Sequence, residues 1–315
     1  MIVLSQKGER GRVEVLRFSP EGRSLLTPLP GKVRIWEDLP NISSPRIIPD
    51  TVAELTPAWN AAFTSDGKAI LVNAHPLALC DLNTGTVRQI PLWNTRVSGN
   101  CYFAITPEGT HFVATHSSFG TPSGWITCRP IDNPTAEHAM WERELPRSVY
   151  LYPAFLSAER FVVREVPPWL EPNRHKAAPR LVACSVQTGE VVSEWQNRSL
   201  DVYYLTVSPN QELLAGKNCT RIAVFSTADF SKPLVVIRNT SKKDFTGIAF
   251  HPSGRYLAAT SNDETVRLYD TTNWEVTRTF TWKIGQMRSI AFSPDGTLAA
   301  AGGDKGQVVV WDVDL

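Results

Sequence analysis

Cysteine and histidine are the residues of this sequence that could bind a metal ion or supply a nucleophile and its base. The five cysteines are Cys80, Cys101, Cys128, Cys184 and Cys219. None belongs to a C-x-x-C pair, and an odd number suits reduced thiols better than a disulfide framework or a zinc knuckle. The sequence also holds no G-x-S-x-G, no H-E-x-x-H and no glycine-rich phosphate loop. We therefore expect no catalytic residue, no metal and no cofactor.

Composition and charge limit the remaining classes of function. Apolar residues make up 42% of the 315 residues, enough material for a large core. The 32 basic and 31 acidic side chains nearly cancel, which disfavours binding to a nucleic-acid backbone. The apolar start MIVL is too short for a signal peptide, and no apolar run of about 18 residues could span a bilayer. We expect a soluble cytoplasmic protein that is monomeric by itself.

A short phrase recurs seven times along the chain and predicts its architecture. The copies begin at Phe18, Phe63, Ile105, Phe155, Val207, Phe250 and Phe292, at intervals of 42 to 52 residues. In the full form, FSPDG, the Ser, Pro and Gly occupy positions of a type I turn in which each is favoured. Apolar segments of strand length flank this turn, and a third segment ends in an aromatic residue. A period of roughly 40–45 residues is typical of four-stranded propeller blades.

The pattern resembles the WD-repeat β-propeller family, with degenerate repeats. A complete Trp-Asp is present only at Trp311 and Asp312, and the family's Gly-His dipeptide is absent from every unit. Asp263 and Asp304 lie where the acid of the family's Asp-His-Ser-Trp tetrad would be, without the histidine partner. The resemblance implies an all-β, seven-bladed propeller of four-stranded antiparallel blades, forming one domain over residues 1–315. Its blades would start near residues 12, 58, 100, 150, 202, 245 and 287.

Alignment of the units gives a role to three cysteines and to the first residues of the chain. At the Trp position of the third strand the units carry Trp36, Cys80, Cys128, Cys184, Phe225, Tyr269 and Trp311. We therefore predict that the three thiols are buried core residues. The seventh unit stops after its third strand. We expect residues 1–6, through the segment Ile2 to Leu4, to supply the missing outer strand and close the ring.

Two loop insertions mark one face of the predicted disc. The connection between the second and third strands is short in most units but expands to residues 117–123 in the third unit and 167–179 in the fourth. The longer loop, PPWLEPNRHKAAP, places Trp and Arg, residues typical of binding hot spots, within a proline frame. Its candidate partner-binding residues are Trp169, Leu170, Arg174, His175 and Lys176. Alternatively, Trp169 packs onto the disc and the basic side chains are only solvated.

A second candidate site is the rim of the central channel on the same face. Four residues before each turn phrase lie Glu14, Trp59, Cys101, Leu151, Tyr203, Thr246 and Arg288. Trp59, Tyr203 and Arg288 would form a lining suited to a carboxylate, or alternatively would fill the top of the core. We predict a non-enzymatic scaffold that binds a protein or peptide on the insertion-bearing face. The alternative is a lactonase-like or hydrolase-like propeller enzyme that acts in the central channel.

Overall fold

Nearly all regular secondary structure in the described part of the chain is β-strand. The computed structural model describes residues 1–5, 11–29, 32–39, 45–49, 60–73, 77–92, 99–118, 123–146, 149–166, 179–196 and 201–314. Within these ranges the strands, numbered β1 to β28 in chain order, form seven four-stranded antiparallel sheets. One short 3₁₀ helix spans Ala136–His138. The predicted seven-bladed β-propeller is confirmed.

The first three blades lie between residues 17 and 146, and the first strand of each is the innermost. Blade one contains β2 (Arg17–Phe18), β3 (Leu25–Leu29), β4 (Lys32–Trp36) and β5 (Arg46–Pro49). Blade two contains β6 (Ala61–Phe63), β7 (Ala69–Val72), β8 (Leu77–Asp81) and β9 (Val87–Ile90). Blade three contains β10 (Gly99–Ile105), β11 (His111–Ser118), β12 (Ser123–Pro130) and β13 (Trp141–Pro146).

The last four blades follow the same plan. Blade four contains β14 (Val149–Phe155), β15 (Arg160–Val166), β16 (Arg180–Ser185) and β17 (Val191–Gln196). Blade five contains β18 (Tyr203–Val207), β19 (Leu213–Lys217), β20 (Arg221–Ser226) and β21 (Val235–Arg238). Blade six contains β22 (Phe245–Phe250), β23 (Tyr256–Ser261), β24 (Thr265–Asp270) and β25 (Val276–Thr281). Blade seven contains β26 (Met287–Phe292), β27 (Leu298–Gly303), β28 (Val308–Asp312) and β1 (Ile2–Leu4).

Blade seven takes its outermost strand from the start of the chain. β1 pairs antiparallel with β28, with Ile2 opposite Val310 and Leu4 opposite Val308. Leu4 is buried whereas Val3 is exposed, as the alternation of side chains along a strand requires. The predicted closure of the ring by the N-terminal segment is confirmed, although residue 6 lies outside the described residues.

The turn phrase of blade five keeps the geometry of the full phrase although the repeat is degenerate there. In FSPDG the amide of Gly296 donates to the carbonyl oxygen of Ser293 at 2.9 Å, and Gly296 has a φ of 75°. This left-handed conformation favours glycine because it has no Cβ. In blade five Gln211 takes the same place, with a φ of 61° and its amide donating to Ser208 at 2.8 Å. The phrase therefore connects the first two strands of blade five without its glycine.

The hydrophobic core is distributed around the ring. Within the described ranges it divides into clusters that each join one blade to the next, and every one of the seven junctions has such a cluster. The cluster at the junction of blades seven and one contains Leu4, Val13 and Trp36. Because each blade covers its neighbour, ring closure completes the burial of all of them.

Candidate functional site

The loops that join the second strand of a blade to its third lie on one face of the disc, together with the connections between blades. We call this the insertion face, and the side that carries the turn phrases the turn face. Residues 119–122 and 167–178 of the two predicted insertions lie outside the described residues. In blade three the predicted loop expansion is wrong in part, because residues 117, 118 and 123 belong to β11 and β12 and the connection has four residues, as in blade seven. The same holds for the candidate contacts Trp169, Leu170, Arg174, His175, Lys176 and Trp59. Their role in partner binding stays a prediction.

Ion pairs hold the strand ends that lead into and out of the blade-four insertion. Arg180, the first residue of β16, lies 2.6 Å from Glu165 on β15 and 2.7 Å from Glu194 on β17. On the neighbouring position of β15, Arg164 donates to both carboxylate oxygens of Asp201 at 2.9 and 2.8 Å. Bidentate guanidinium–carboxylate pairs are strong and directional. The insertion therefore starts and ends on well-fixed strands, and one of them is tied to blade five.

Tyr203, one of the predicted rim residues, belongs to a cluster at the start of blade five. Its hydroxyl lies 3.0 Å from the Sγ of the exposed Cys219. The buried Lys217 donates to the carbonyl oxygen of Phe245 at 3.0 Å, and its Nζ lies 5.3 and 4.9 Å from the ring centroids of Tyr203 and Tyr204. Burial lowers the pKa of Lys217 to about 8 and raises the pKa of Tyr203. Lys217 thus joins blade five to the backbone of blade six.

Arg288, the other described rim residue, is the second residue of the innermost strand of blade seven. It is half-buried, and its Nη2 donates to the side-chain oxygen of Gln286 at 2.9 Å. Neither Arg288 nor Tyr203 is among the residues that line the cavities of the central channel. The structure therefore leaves both as predicted contacts at the insertion face, separate from the channel wall.

Two adjacent cavities of the central channel are lined by residues that the structure describes. Their volumes are about 370 and 330 Å³, and Val15, Arg17, Tyr204 and Leu205 line both of them. The lining of the larger cavity extends to Phe63, the first residue of a turn phrase. The smaller cavity extends to Pro252 and Pro294, which lie within turn phrases. Both cavities therefore reach toward the turn face, away from the loop insertions.

The residues that line the channel lie one position closer to the turn phrases than the sequence analysis predicted. The cavities are lined by the residues three positions before the turn phrases: Val15, Asn60, Tyr102, Tyr152, Tyr204, Gly247 and Ser289. Two residues of the expected register, Cys101 and Leu151, are 4% and 7% exposed and pack inside the blades. Successive side chains of a strand point to opposite faces, so a shift of one residue exchanges Cys101 and Leu151 for Tyr102 and Tyr152, whereas Glu14 of the expected register still lines the smaller cavity. Three tyrosines at that position were the signal in the repeat alignment that could have identified it.

Three blades contribute a contiguous group of rings to the channel, which we call the tyrosine wall: Tyr102, Tyr152 and Tyr204. The ring centroids of Tyr102 and Tyr152 are 4.4 Å apart, and those of Tyr152 and Tyr204 are 5.4 Å apart. Tyr152 and Tyr204 lie at β-bulges of their innermost strands, with φ of 54° and 59°. A bulky residue in this left-handed region stores strain of order 1–3 kcal/mol. The bulges of blades six and seven lie one residue earlier, at Thr246 and Arg288, and the residues that correspond to Tyr152 and Tyr204, Gly247 and Ser289, have no such φ.

The cysteines are arranged as core residues. Cys80, Cys128 and Cys184 are buried, as predicted from the repeat alignment. Burial raises their pKa to about 11, about 12 and about 12, so the thiols are protonated at neutral pH. Over the described ranges no three His, Cys, Asp or Glu side chains are grouped to hold a metal ion. In the same part of the chain no helix is long and apolar enough to cross a membrane.

Comparisons with known proteins agree with this architecture. The family model described as WD domain, G-beta repeat matches residues 231–270 and 274–312. Each matched range contains the outermost strand of one blade followed by three strands of the next. The chain is also similar to WD repeat-containing protein 82 of Drosophila melanogaster, with 29% identity over 106 residues. That match covers 32% of this chain and 33% of the relative, so it spans about a third of the relative's length.

Proposed function

Because this chain is a seven-bladed β-propeller that carries WD repeats, we propose that it is a non-enzymatic scaffold whose insertion face binds a protein or peptide. Propellers of this kind generally serve as platforms for protein interactions and are typically not enzymes. Because many functions share one architecture, the fold alone does not identify the binding site, which depends on this chain's own residues.

The observation that carries the proposal is the fixed base of the blade-four insertion. Arg180 is held between Glu165 and Glu194, and Arg164 is held by Asp201 on the next blade. A loop that departs from fixed strand ends loses less conformational entropy when a partner orders it. Extra loop length at one connection tends to signal a functional surface, because the other blades close the same connection in a few residues.

Within the loop we assign the anchor to Trp169 and Leu170, with Arg174, His175 and Lys176 around them. A tryptophan anchor contributes by desolvation in a partner pocket, whereas surrounding cations act mainly on the association rate. Tyr203 and Arg288 would extend the contact toward the channel rim. The near-neutral chain, with a net charge of +1, favours a protein partner over a nucleic acid.

The experiment is affinity capture with the intact protein as bait and identification of the captured proteins by mass spectrometry. Trp169→Ala should lose a partner that the wild type retains, with a cost of about 2 kcal/mol or more in affinity, or roughly thirtyfold in Kd. Trp274→Ala is the matched control, because Trp274 lies in a turn between β24 and β25 on the opposite face. It should retain the same partner.

The melting temperature distinguishes binding from packing. Trp169→Ala should leave it unchanged if the side chain is a partner anchor. Intact capture combined with a lowered melting temperature would show that Trp169 packs onto the disc, and the proposal would then be wrong. Turnover of lactone or ester substrates by the same preparation would contradict the non-enzymatic assignment. Arg174→Ala and Lys176→Ala should reduce the association rate and its dependence on salt.

A further inference from the structure

The tyrosine wall faces a guanidinium across the central channel. Tyr102, Tyr152 and Tyr204 come from blades three, four and five, whereas Arg17 comes from blade one, on the other side of the ring. Both Arg17 and the tyrosine wall line the cavity of about 370 Å³. Its volume lies within the range of roughly 300–1,000 Å³ that is typical of small-molecule sites. The cavity therefore combines one aromatic side with one cationic side.

Arg17 is available to a ligand. Within the described ranges the only hydrogen bond of its guanidinium is from Nη1 to the carbonyl oxygen of the adjacent Leu16, at 3.0 Å. None of the ion pairs formed by described residues includes Arg17. The side chain is accessible from the channel, while the surrounding walls lower its pKa from the ordinary value without removing the charge. A guanidinium in this position can bind a carboxylate through two parallel N–H···O bonds.

The tyrosine hydroxyls add donors on the opposite side. Burial raises the pKa of Tyr204 to about 12 and raises the pKa of Tyr102 still further, so both are neutral at physiological pH. Of the seven described residues that lie three positions before a turn phrase, only Tyr152 and Tyr204 have a left-handed backbone. Backbone strain that is confined to two of seven corresponding positions indicates a function for the side chains at those positions.

The charges select the class of ligand. A cation held by the aromatic rings would be repelled by Arg17 and by Lys217, whose Nζ lies 4.9 Å from the ring centroid of Tyr204. Glu14, which lines the smaller cavity, offsets one of these two positive charges and leaves the other for a ligand. A phosphate carries about two negative charges, whereas Arg17 offers a single positive charge to pair with them. A carboxylate brings one, and an aromatic or apolar body attached to it would stack on the tyrosine wall.

We propose that the channel cavity bounded by Arg17 and the tyrosine wall binds an aromatic carboxylate. The carboxylate pairs with the guanidinium of Arg17, and the aromatic body lies against Tyr152 and Tyr204. The ligand is either a free small acid or the C-terminal aromatic residue of a peptide, which share this chemistry. The cavity reaches the turn face, so the site is separate from the scaffold surface proposed above and does not depend on it.

The test is calorimetric titration of the full chain with a panel of probes. The free acids are 3-phenylpropionate and naphthalene-2-carboxylate, and their controls are the corresponding amides, phenylethylamine and acetate. The peptide arm is a short peptide that ends in phenylalanine with a free carboxylate, compared with its C-terminal amide. We expect an acid to bind, and each uncharged, cationic or non-aromatic control to bind at least about tenfold more weakly. Tighter binding of the free-carboxylate peptide than of the small acids would identify a chain terminus as the ligand source.

Single substitutions test whether the acid binds at Arg17 and the tyrosine wall or elsewhere on the protein. Arg17→Gln should weaken binding of the acid by at least about tenfold, whereas Arg12→Gln, an exposed neighbour outside the cavity, should not. Tyr152→Gly and Tyr204→Gly should also weaken binding without lowering the melting temperature, because glycine accepts the left-handed backbone. Trp169→Ala should leave acid binding unchanged. Absence of binding by every acid and carboxylate peptide, or binding that Arg17→Gln does not reduce, would overturn the proposal.

Discussion

Arg267 and Asp263 form an ion pair of 2.7 Å at the insertion face of blade six, where Asp263 lies in the connection between β23 and β24 and Arg267 lies on β24. The other terminal nitrogen of Arg267 donates to the side-chain oxygen of Asn239 at 2.9 Å, and Asn239 donates in turn to Ser261 at 2.8 Å. Asp263 stands where the family resemblance places the acid of a tetrad whose histidine is missing. Arg267, on the third strand, pairs with Asp263 in place of that histidine.

This ion pair should make the stability of the protein depend on pH in the acid range. Burial alone would raise the pKa of Asp263, but hydrogen bonds from Ser241, Thr265 and Arg267 outweigh it and lower the pKa to about 2. An unfolded aspartate titrates near 3.9, so the stabilisation is fully present above about pH 4 and is lost as the pH falls toward about 2.

Asp263→Asn should therefore lower the free energy of unfolding at neutral pH by about 1.5–3 kcal/mol, the typical contribution of hydrogen bonds to a charged group. The difference from wild type should shrink as the pH falls from about 4 to about 2. Denaturant unfolding at several pH values measures it, with the exposed Asp314→Asn as the control. A difference that stays constant with pH would show that the carboxylate charge is not what stabilises blade six.

Substitutions of Val3 and Leu4, adjacent residues of the closing strand β1, should differ strongly in their effect on stability. Leu4→Ala should destabilise the protein by about 2–5 kcal/mol, because its side chain is buried with Trp36 and Val308 at the junction of blades seven and one. Val3→Ala is the matched control on the same strand, and because Val3 is 45% exposed the cost should stay near about 0.5 kcal/mol. Denaturant unfolding measures both. Equal effects would argue against the register of β1 on β28.

The thiols should fall into two classes of reactivity. Cys219 is exposed, whereas the other four cysteines are buried and their pKa values are raised by burial. Because the thiolate is the reactive form, a thiol reagent should modify Cys219 alone in the native protein and all five cysteines in denaturant. Native Cys219→Ser should then be unreactive. Rapid native labelling of Cys80, Cys128 or Cys184 would contradict their place in the core.

The repeat pattern was sufficient to predict the architecture. Each turn phrase carries a local preference for a specific backbone geometry, and its spacing sets the length of a blade. The missing fourth strand of the last unit identified Ile2 to Leu4 as the closing strand, and alignment of Cys80, Cys128 and Cys184 with a buried aromatic position predicted their burial. These features depend on local turn chemistry and on the period of the chain, which a single sequence displays.

The composition of the channel was decided only by the tertiary structure. The residues three positions before the turn phrases line the channel in blades with and without a β-bulge in the innermost strand, whereas the repeat alignment pointed to the residues four positions before them. The contact between Arg267 and Asn239, and the opposition of Arg17 to Tyr152 and Tyr204, join residues 28 or more positions apart in the chain. Local sequence preferences carry no information on such pairs, because they come together only when seven blades pack in a ring and the closing strand fixes their relative positions.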